Sequence, residues 1–279
     1  MTITSSVQPF RRFVRSKRAL ALPVTFLILL ASTLGIITVT YYFAVGNINT
    51  QSETLEVCTT KQDLLSLDND ILSTLGHPGS SCTVDLRDSG GSTNIQPTTN
   101  ILTISVTDNS AIEQTIFNSS IGQVAYELPF PGVIETGLYI EGDAQTITNQ
   151  SGSSQSQLYI TNGPQGPEIQ LQYRPTVTYE TAGLQNGQAI NDIRIYIVNL
   201  NSSDPITLQG NLPLQISCVS TQLTAETYNV PYQSESLSII SQLNGTESSV
   251  VIPIQSASGG SIIYIETVIS NVSIERLAQ

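Results

Sequence analysis

The sequence predicts an α+β protein: one long N-terminal hydrophobic helix followed by an antiparallel β-sandwich-like domain. Three observations carry that reading. Ala19 to Val45 is an apolar run without a charged residue, Leu55 to Leu75 repeats its apolar residues at helical spacing, and beyond Gly79 apolar and polar residues alternate with a period of two.

The run ALALPVTFLILLASTLGIITVTYYFAV exceeds the roughly 20 apolar residues that cross a bilayer as a helix. Directly before it stand Arg11, Arg12, Arg15, Lys17 and Arg18, and no Lys or Arg follows until Lys61. The positive-inside rule therefore predicts a single span, with residues 1–18 in the cytoplasm and everything after Gly46 outside. Tyr41, Tyr42 and Phe43 fall where an outer aromatic belt would sit. A secretory signal has a shorter apolar region of about 7–15 residues and a small-residue cleavage site after it; this run is longer, and no such site follows. Ala31, Ser32, Thr33, Gly35, Thr38 and Thr40 recur through the run, and residues of this kind let helices approach closely and hydrogen-bond laterally.

Past Asn47 the apolar residues Leu55, Leu64, Leu65, Leu67, Ile71, Leu72 and Leu75 include several i, i+3, i+4 and i+7 spacings, as on one face of an amphipathic helix. Gly76-His77-Pro78-Gly79 supplies the stop. One helix, whole or broken near Gly46, is expected from Leu20 to Leu75.

The strands come next. Ile101–Val106, Gln123–Leu128, Gln157–Thr161, Glu168–Tyr173, Ile193–Val198, Leu214–Val219, Ser249–Ile254 and Ser261–Glu266 alternate as half-buried strands do. Turn signals separate them, among them Asn162-Gly163-Pro164, Asn186-Gly187, Asn244-Gly245 and Gly259-Gly260. Roughly ten to twelve short strands at this spacing argue for a sandwich. The Ser-rich stretch Asn149 to Gln157 reads as an internal loop or a seam between two halves.

Composition narrows the function. All 22 Asp and Glu lie beyond the apolar run, where only Lys61, Arg87, Arg174, Arg194 and Arg276 oppose them, a net charge of −17. Such a field repels nucleic acid and anionic headgroups, so neither is an expected partner of the outer part. His77 is the sole histidine and sits in a turn signal, which excludes a histidine triad or a multi-histidine metal site on one chain. Phosphate-binding loops, dinucleotide fingerprints and Gly-x-Ser-x-Gly elbows are absent from the sequence. The acids Asp63, Asp68 and Asp70, and the pair Glu141 and Asp143, lack the spacing of an EF-hand; the first group reads as a solvated helix face. No catalytic residue, cofactor or metal site is therefore expected. Cys58, Cys82 and Cys218 match no zinc or redox spacing, and an odd count leaves one thiol over. Cys58 and Cys82, closest in sequence and flanking the helix stop, are the expected disulfide, with Cys218 a reduced core residue. Asn118, Asn149, Asn201, Asn244 and Asn271 satisfy the N-glycosylation sequon, and Asn149 and Asn244, in Ser- and Gly-rich turns, are the favoured acceptors.

Lys17-Arg18-Ala19, followed at once by Leu20-Ala21-Leu22-Pro23-Val24, resembles the class III signal of archaeal type IV pilins and archaellins: a basic pair, a small residue, cleavage, then the apolar helix itself. Leu22-Pro23-Val24 is similar to the Ser-Pro-Val common at halophile-type mature N-termini. The glutamate that bacterial pilins carry there is missing, as it often is in archaeal members. The resemblance implies a prepilin-type peptidase that recognises Lys17, Arg18 and Ala19 and leaves Leu20 as the first mature residue. It implies a leader over 1–19, a membrane and assembly helix over 20–75, and an extracellular β-rich head over 76–279. The expected function is structural: a pilin-like subunit, with adhesion as a role open to its head, stored in the cell membrane and drawn into a surface filament around a homo-oligomeric helical bundle. Two other readings stay open: an uncleaved single-pass anchor whose β domain binds a solute, polymer or partner, and a tethered hydrolase using carboxylates.

Overall fold

The computed structural model describes residues 17–108, 112–129, 136–231 and 236–277; the expected leader over 1–19 lies outside them up to residue 16. One α-helix, α1 (Lys17–Thr74), runs for 58 residues without a break at Gly46. The chain forms two compact units, one ending at Thr54 and one spanning Leu55–Gln279, so the β unit begins inside the helix rather than at the helix stop.

Among the described residues fourteen strands follow: β1 (Ser81–Leu86), β2 (Ser92–Thr107), β3 (Glu113–Glu127), β4 (Tyr139–Glu141), β5 (Thr148–Asn149), β6 (Ser156–Asn162), β7 (Pro167–Tyr173), β8 (Thr176–Gln185), β9 (Gln188–Asn199), β10 (Ile206–Gln209), β11 (Leu212–Val230), β12 (Ser236–Leu243), β13 (Thr246–Pro253) and β14 (Ser261–Arg276). They build a six-stranded sheet, β1-β11-β14-β9-β8-β5, and a second sheet ordered β13-β12-β2-β3-β7-β6-β4, with β10 also paired to β2. Most pairs are antiparallel, but β14 runs parallel to β9 and β5 parallel to β8, which the expected antiparallel sandwich did not include.

Local chemistry explains the turns. Asn186-Gly187 closes β8–β9 and Asn244-Gly245 closes β12–β13, each with φ near +50° at Asn and +83° at Gly, the paired positive values of a type I′ hairpin. Pro97 falls where the β2–β3 register jumps between Gln96 and Asn100, because proline has no N–H to give the ladder. That irregularity lets β10 pair with β2 before it and β12 after it.

The β unit holds two hydrophobic cores. Leu64, Leu67 and Ile71 of α1 join residues of both sheets in the first, among them Leu86, Ile95, Val124, Leu171, Ile216 and Ile274. The second, around Leu102, Ile104, Ile195, Ile239 and Ile265, is made by strands without the helix. The long strands β2, β11 and β14 contribute to both.

Between the residues of the two cores runs a chain of buried amides. Asn100 Nδ2 donates to Gln123 Oε1 (2.9 Å) and Gln172 Oε1 (3.0 Å), Gln123 to Gln96 Oε1 (2.8 Å), and Gln172 to Gln157 Oε1 (2.9 Å). Each strand that passes this level is held in register, since a slipped partner would leave a buried amide unsatisfied.

The Ser-rich stretch after β5 is a loop, not a domain seam, and Arg174 clamps it. The Arg174 side chain is fully buried. It donates to the Ser154 carbonyl through Nε (3.0 Å), to the Gln145 carbonyl (2.7 Å), to Ser153 Oγ (2.5 Å) and to the carboxylate of Asp143. That pairing holds the Asp143 carboxyl well below the ordinary carboxylate range.

The outer part of α1 makes a direct test of this packing. Leu67→Ala should cost about 3 kcal/mol, within the usual range for a fully buried leucine. Leu55→Ala, at a site 67% exposed, should stay within about 0.5 kcal/mol. Urea midpoints with unchanged slopes are the measurement.

Candidate functional site

Two stretches of α1 meet opposite environments. From Val24 to Val45 the large apolar side chains are exposed, with Phe26 at 69%, Val39 at 70% and Tyr42 at 83%. This is the one helix among the described residues long and apolar enough to cross a membrane, and the span-forming window has nothing buried. Uncharged sequence continues to Ser52, so Pro23–Ser52 rises about 45 Å, against the ~30 Å of a hydrocarbon core.

Three hydroxyl side chains in that surface are satisfied by the helix itself. Ser32 donates to the Leu29 carbonyl (2.9 Å), Thr33 to Leu29 and Leu30 (both 2.9 Å), and Thr38 to Leu34 (2.8 Å). Their donors turn back onto carbonyls three or four residues earlier, a pattern that lowers the cost of placing a hydroxyl in an apolar medium.

From Thr60 onward the helix turns one face inward, with Thr60, Leu64, Leu67, Asp68, Ile71 and Thr74 buried. Gly76 at φ +73° ends it, while Ser80 Oγ donates to the Thr74 carbonyl (3.1 Å). Exposed His77 sits in this turn with Nδ1 2.9 Å from the Leu75 carbonyl. Arg87 grips Asp63 through Nη2 (2.6 Å), Nε (3.0 Å) and its backbone N–H (3.1 Å), tying the end of β1 to the helix.

The three acids of the outer helix separate. Asp63 takes Arg87, and Asp70 lies beside Cys82. Asp68, read from sequence as part of a solvated face, is instead 2% exposed and accepts a hydrogen bond from the Tyr173 hydroxyl at 2.8 Å. Burial raises its carboxyl to about 6, against opposing hydrogen bonds from Tyr173 and Ser156, with the charge of Glu141 adding to the rise. Burial also pushes the Tyr173 phenol far up, reinforced by Asp68. Asp143 is likewise committed to Arg174. Among the described residues no group of three or more His, Cys, Asp or Glu could hold a metal ion.

The cysteines correct the expected bridge. All three are free thiols. Cys82 Sγ lies 3.7 Å from the carbonyl of Asp70, and Asp70 is twelve residues from Cys58 along α1, a rise of about 18 Å. A disulfide needs its Cα atoms within roughly 7 Å, so Cys58–Cys82 does not form while this helix is intact. Cys218 is buried on β11, at the register shift opposite β14.

The five sequon asparagines stand in unlike surroundings. Asn118, on β3, and Asn201, in the turn after β9, are exposed. Half-buried Asn149 accepts the Ser151 N–H (3.0 Å). Asn244, at its exposed turn, sends Nδ2 inward to Asn100 Oδ1 (2.6 Å). Asn271 is buried and donates to Ser220 Oγ (3.0 Å). The expected processing residues Lys17, Arg18, Ala19 and Leu20 lie in the opening backbone of α1, and residues 1–16 of the expected leader lie outside the described residues. The buried roles of Asp68 and Arg174 had no sequence signal beyond their apolar neighbours.

No protein-family model, curated protein or solved structure matches this chain. What geometry defines is a long N-terminal apolar helix followed by a β-rich domain.

Asp68 gives the arrangement a pH dependence. Its folded pKa is raised, so its contribution to stability is fully present below the unfolded value of 3.8 and is lost as pH rises through about 6. That rise corresponds to roughly 3 kcal/mol. Asp68→Asn should flatten this part of the stability profile and raise the urea midpoint at pH 7 above that of the unsubstituted protein. Parallel urea titrations at pH 4, 5, 6 and 7 check it.

Proposed function

We propose that this chain is a structural subunit of an archaeal type IV pilus-like surface filament, cleaved by a prepilin-type peptidase after Ala19. The observation that carries this reading is α1 itself: one helix whose outer part is built into the β unit, while its uncharged inner part leaves every large apolar side chain from Val24 to Phe43 uncovered. Lipid covers such a surface before assembly, and the matching helices of other copies cover it afterwards, so a membrane pool supplies a filament around a helical bundle.

Pro23 supports the same cut. Inside the uncleaved helix it is an interior proline, lacking the N–H that would bond to the Ala19 carbonyl. In a chain beginning at Leu20 it is the fourth residue, where a helical N–H has no partner in any case. Cleavage thus removes this local conflict.

The acidic β unit faces solvent on this reading and carries no catalytic role; Asp63, Asp68 and Asp143 of its sequence clusters are engaged by Arg87, Tyr173 and Arg174. Exposed Asn118 and Asn201 are its most accessible glycan acceptors, and native-protein glycopeptide mapping should find sugar there before Asn271.

The N-terminus tests the assignment. Native protein should begin at Leu20 and appear in the sheared filament fraction. Arg18→Glu, or Ala19 replaced by a bulky residue, should accumulate full-length protein in membranes and abolish filaments while the β unit keeps its urea midpoint. Native protein that begins at residue 1 or 2, stays in membranes and never enters a filament overturns the proposal in favour of a single-pass anchored binding module.

A further inference from the structure

The outer face of the six-stranded sheet holds a feature that neither folding nor assembly uses. Val177, Ile193, Ile195, Ile263 and Ile265 point into the second core, so strand alternation places Thr178 and Glu180 of β8, Asp192 and Arg194 of β9, and Tyr264 and Glu266 of β14 on the outside. Register sets their neighbours: Thr178 is opposite Arg194, Glu180 opposite Asp192, Tyr264 beside Asp192 and Glu266 beside Arg194. The loop after β5 adds Gln150, whose N–H donates to the Val177 carbonyl (3.0 Å) and whose Oε1 accepts the Tyr179 N–H (3.4 Å). Gln150, Thr178, Tyr179, Glu180, Asp192 and Arg194 line a cavity of about 140 Å³.

Glu180 and Asp192 face each other across a strand pair, an arrangement that is destabilising for like charges. Arg194 does not relieve it by a direct ion pair; its Nε bonds Glu266 at 2.7 Å. Two carboxylates, an amide, a guanidinium and a hydroxyl therefore converge on one small space.

The chemistry of that space selects among ligands. Anions are repelled by the two carboxylates and by a β unit whose 21 acids against 5 bases give it a net charge of −16. An apolar ligand would strand charged groups without hydrogen bonds. A divalent cation such as Ca²⁺ takes six to eight oxygen ligands, and here two carboxylates share the site with a guanidinium. A neutral polyhydroxylated ligand satisfies all of them: its hydroxyls donate to the carboxylates and accept from the amide and guanidinium. We propose that this groove binds a neutral saccharide. The cavity is far below the roughly 300–1,000 Å³ of a drug-sized site, which limits the enclosed unit to about one sugar ring, with Tyr264 and Tyr196 on the adjoining surface for the rings that follow. The proposal does not rest on the filament reading, since every residue in it belongs to the β unit.

The test uses full-length protein in detergent, passed over immobilised neutral trisaccharides of glucose, mannose, galactose and N-acetylglucosamine, with CaCl₂ and inorganic phosphate as solution competitors. Retention is expected on at least one of the four. Asp192→Ala and Glu180→Ala should each weaken it about tenfold or more, the effect of losing about 1.4 kcal/mol of hydrogen bonding, without lowering the urea midpoint. Val251→Ala, on the exposed face of the other sheet, should bind like the unsubstituted protein. Absence of retention on all four columns, equal retention of the Asp192 and Glu180 variants, or elution by CaCl₂ or phosphate alone overturns the proposal.

Discussion

Packing of one face of the outer part of α1 against residues of both sheets is the constraint on which the β unit is built. Leu64, Leu67 and Ile71 occupy the first core together with residues from both sheets, and burying each contributes roughly 1.5–3 kcal/mol. The second core closes on strands alone. The buried face of the outer helix is therefore part of the first core, and the compact unit accordingly begins at Leu55. Asp63–Arg87 and Asp68–Tyr173 then fix the axial position of a helix whose leucines alone would tolerate sliding.

The polar interior serves the same end. An apolar sandwich with long strands has many near-equivalent registers, because a shift of two residues restores the same face. The amides of Gln96, Asn100, Gln123, Gln157 and Gln172 remove that degeneracy, since each needs its particular partner in a dry interior. Arg174 does for the loop after β5 what the amides do for the strands. Asp68 is the costly member of the group, a carboxyl held among apolar side chains with a phenol as its partner, and this makes helix docking sensitive to pH.

The inner part of α1 has the same backbone and a different solution. Its Ser32, Thr33 and Thr38 hydroxyls bond its own carbonyls, it carries no charge from Pro23 to Ser52, and its large apolar side chains from Val24 to Val45 are exposed. In the proposed filament the two parts divide the work: the outer turns carry a β unit that stays soluble through its acidity, and the inner turns exchange lipid for sister helices. The proposed saccharide groove lies on the outer face of the six-stranded sheet, so on these two proposals one chain would combine an assembly helix with a recognition surface.

Much of this was legible in the residues themselves. The charge-free run, the helical spacing from Leu64 to Ile71, the Gly76 stop and the Asn-Gly hairpins are each encoded within a few neighbouring positions, where backbone sterics and side-chain period act directly. Strands such as β9 and β14 were equally visible, but not their parallel pairing, because alternation looks the same whichever partner a strand takes. Nor could local pattern separate Asp68 from Asp63 and Asp70: all three lie on a helix, and only the approach of Tyr173, more than a hundred residues away, decides that one is buried. The same holds for the cysteines, where proximity in sequence suggested a bridge and the roughly 1.5 Å rise per residue of an unbroken helix carries Cys58 out of reach of Cys82. Sequence by itself determined the elements and the apolar surface of α1. The tertiary structure alone decided which distant side chains meet, because that choice depends on packing two sheets and a helix simultaneously and not on any short stretch of chain.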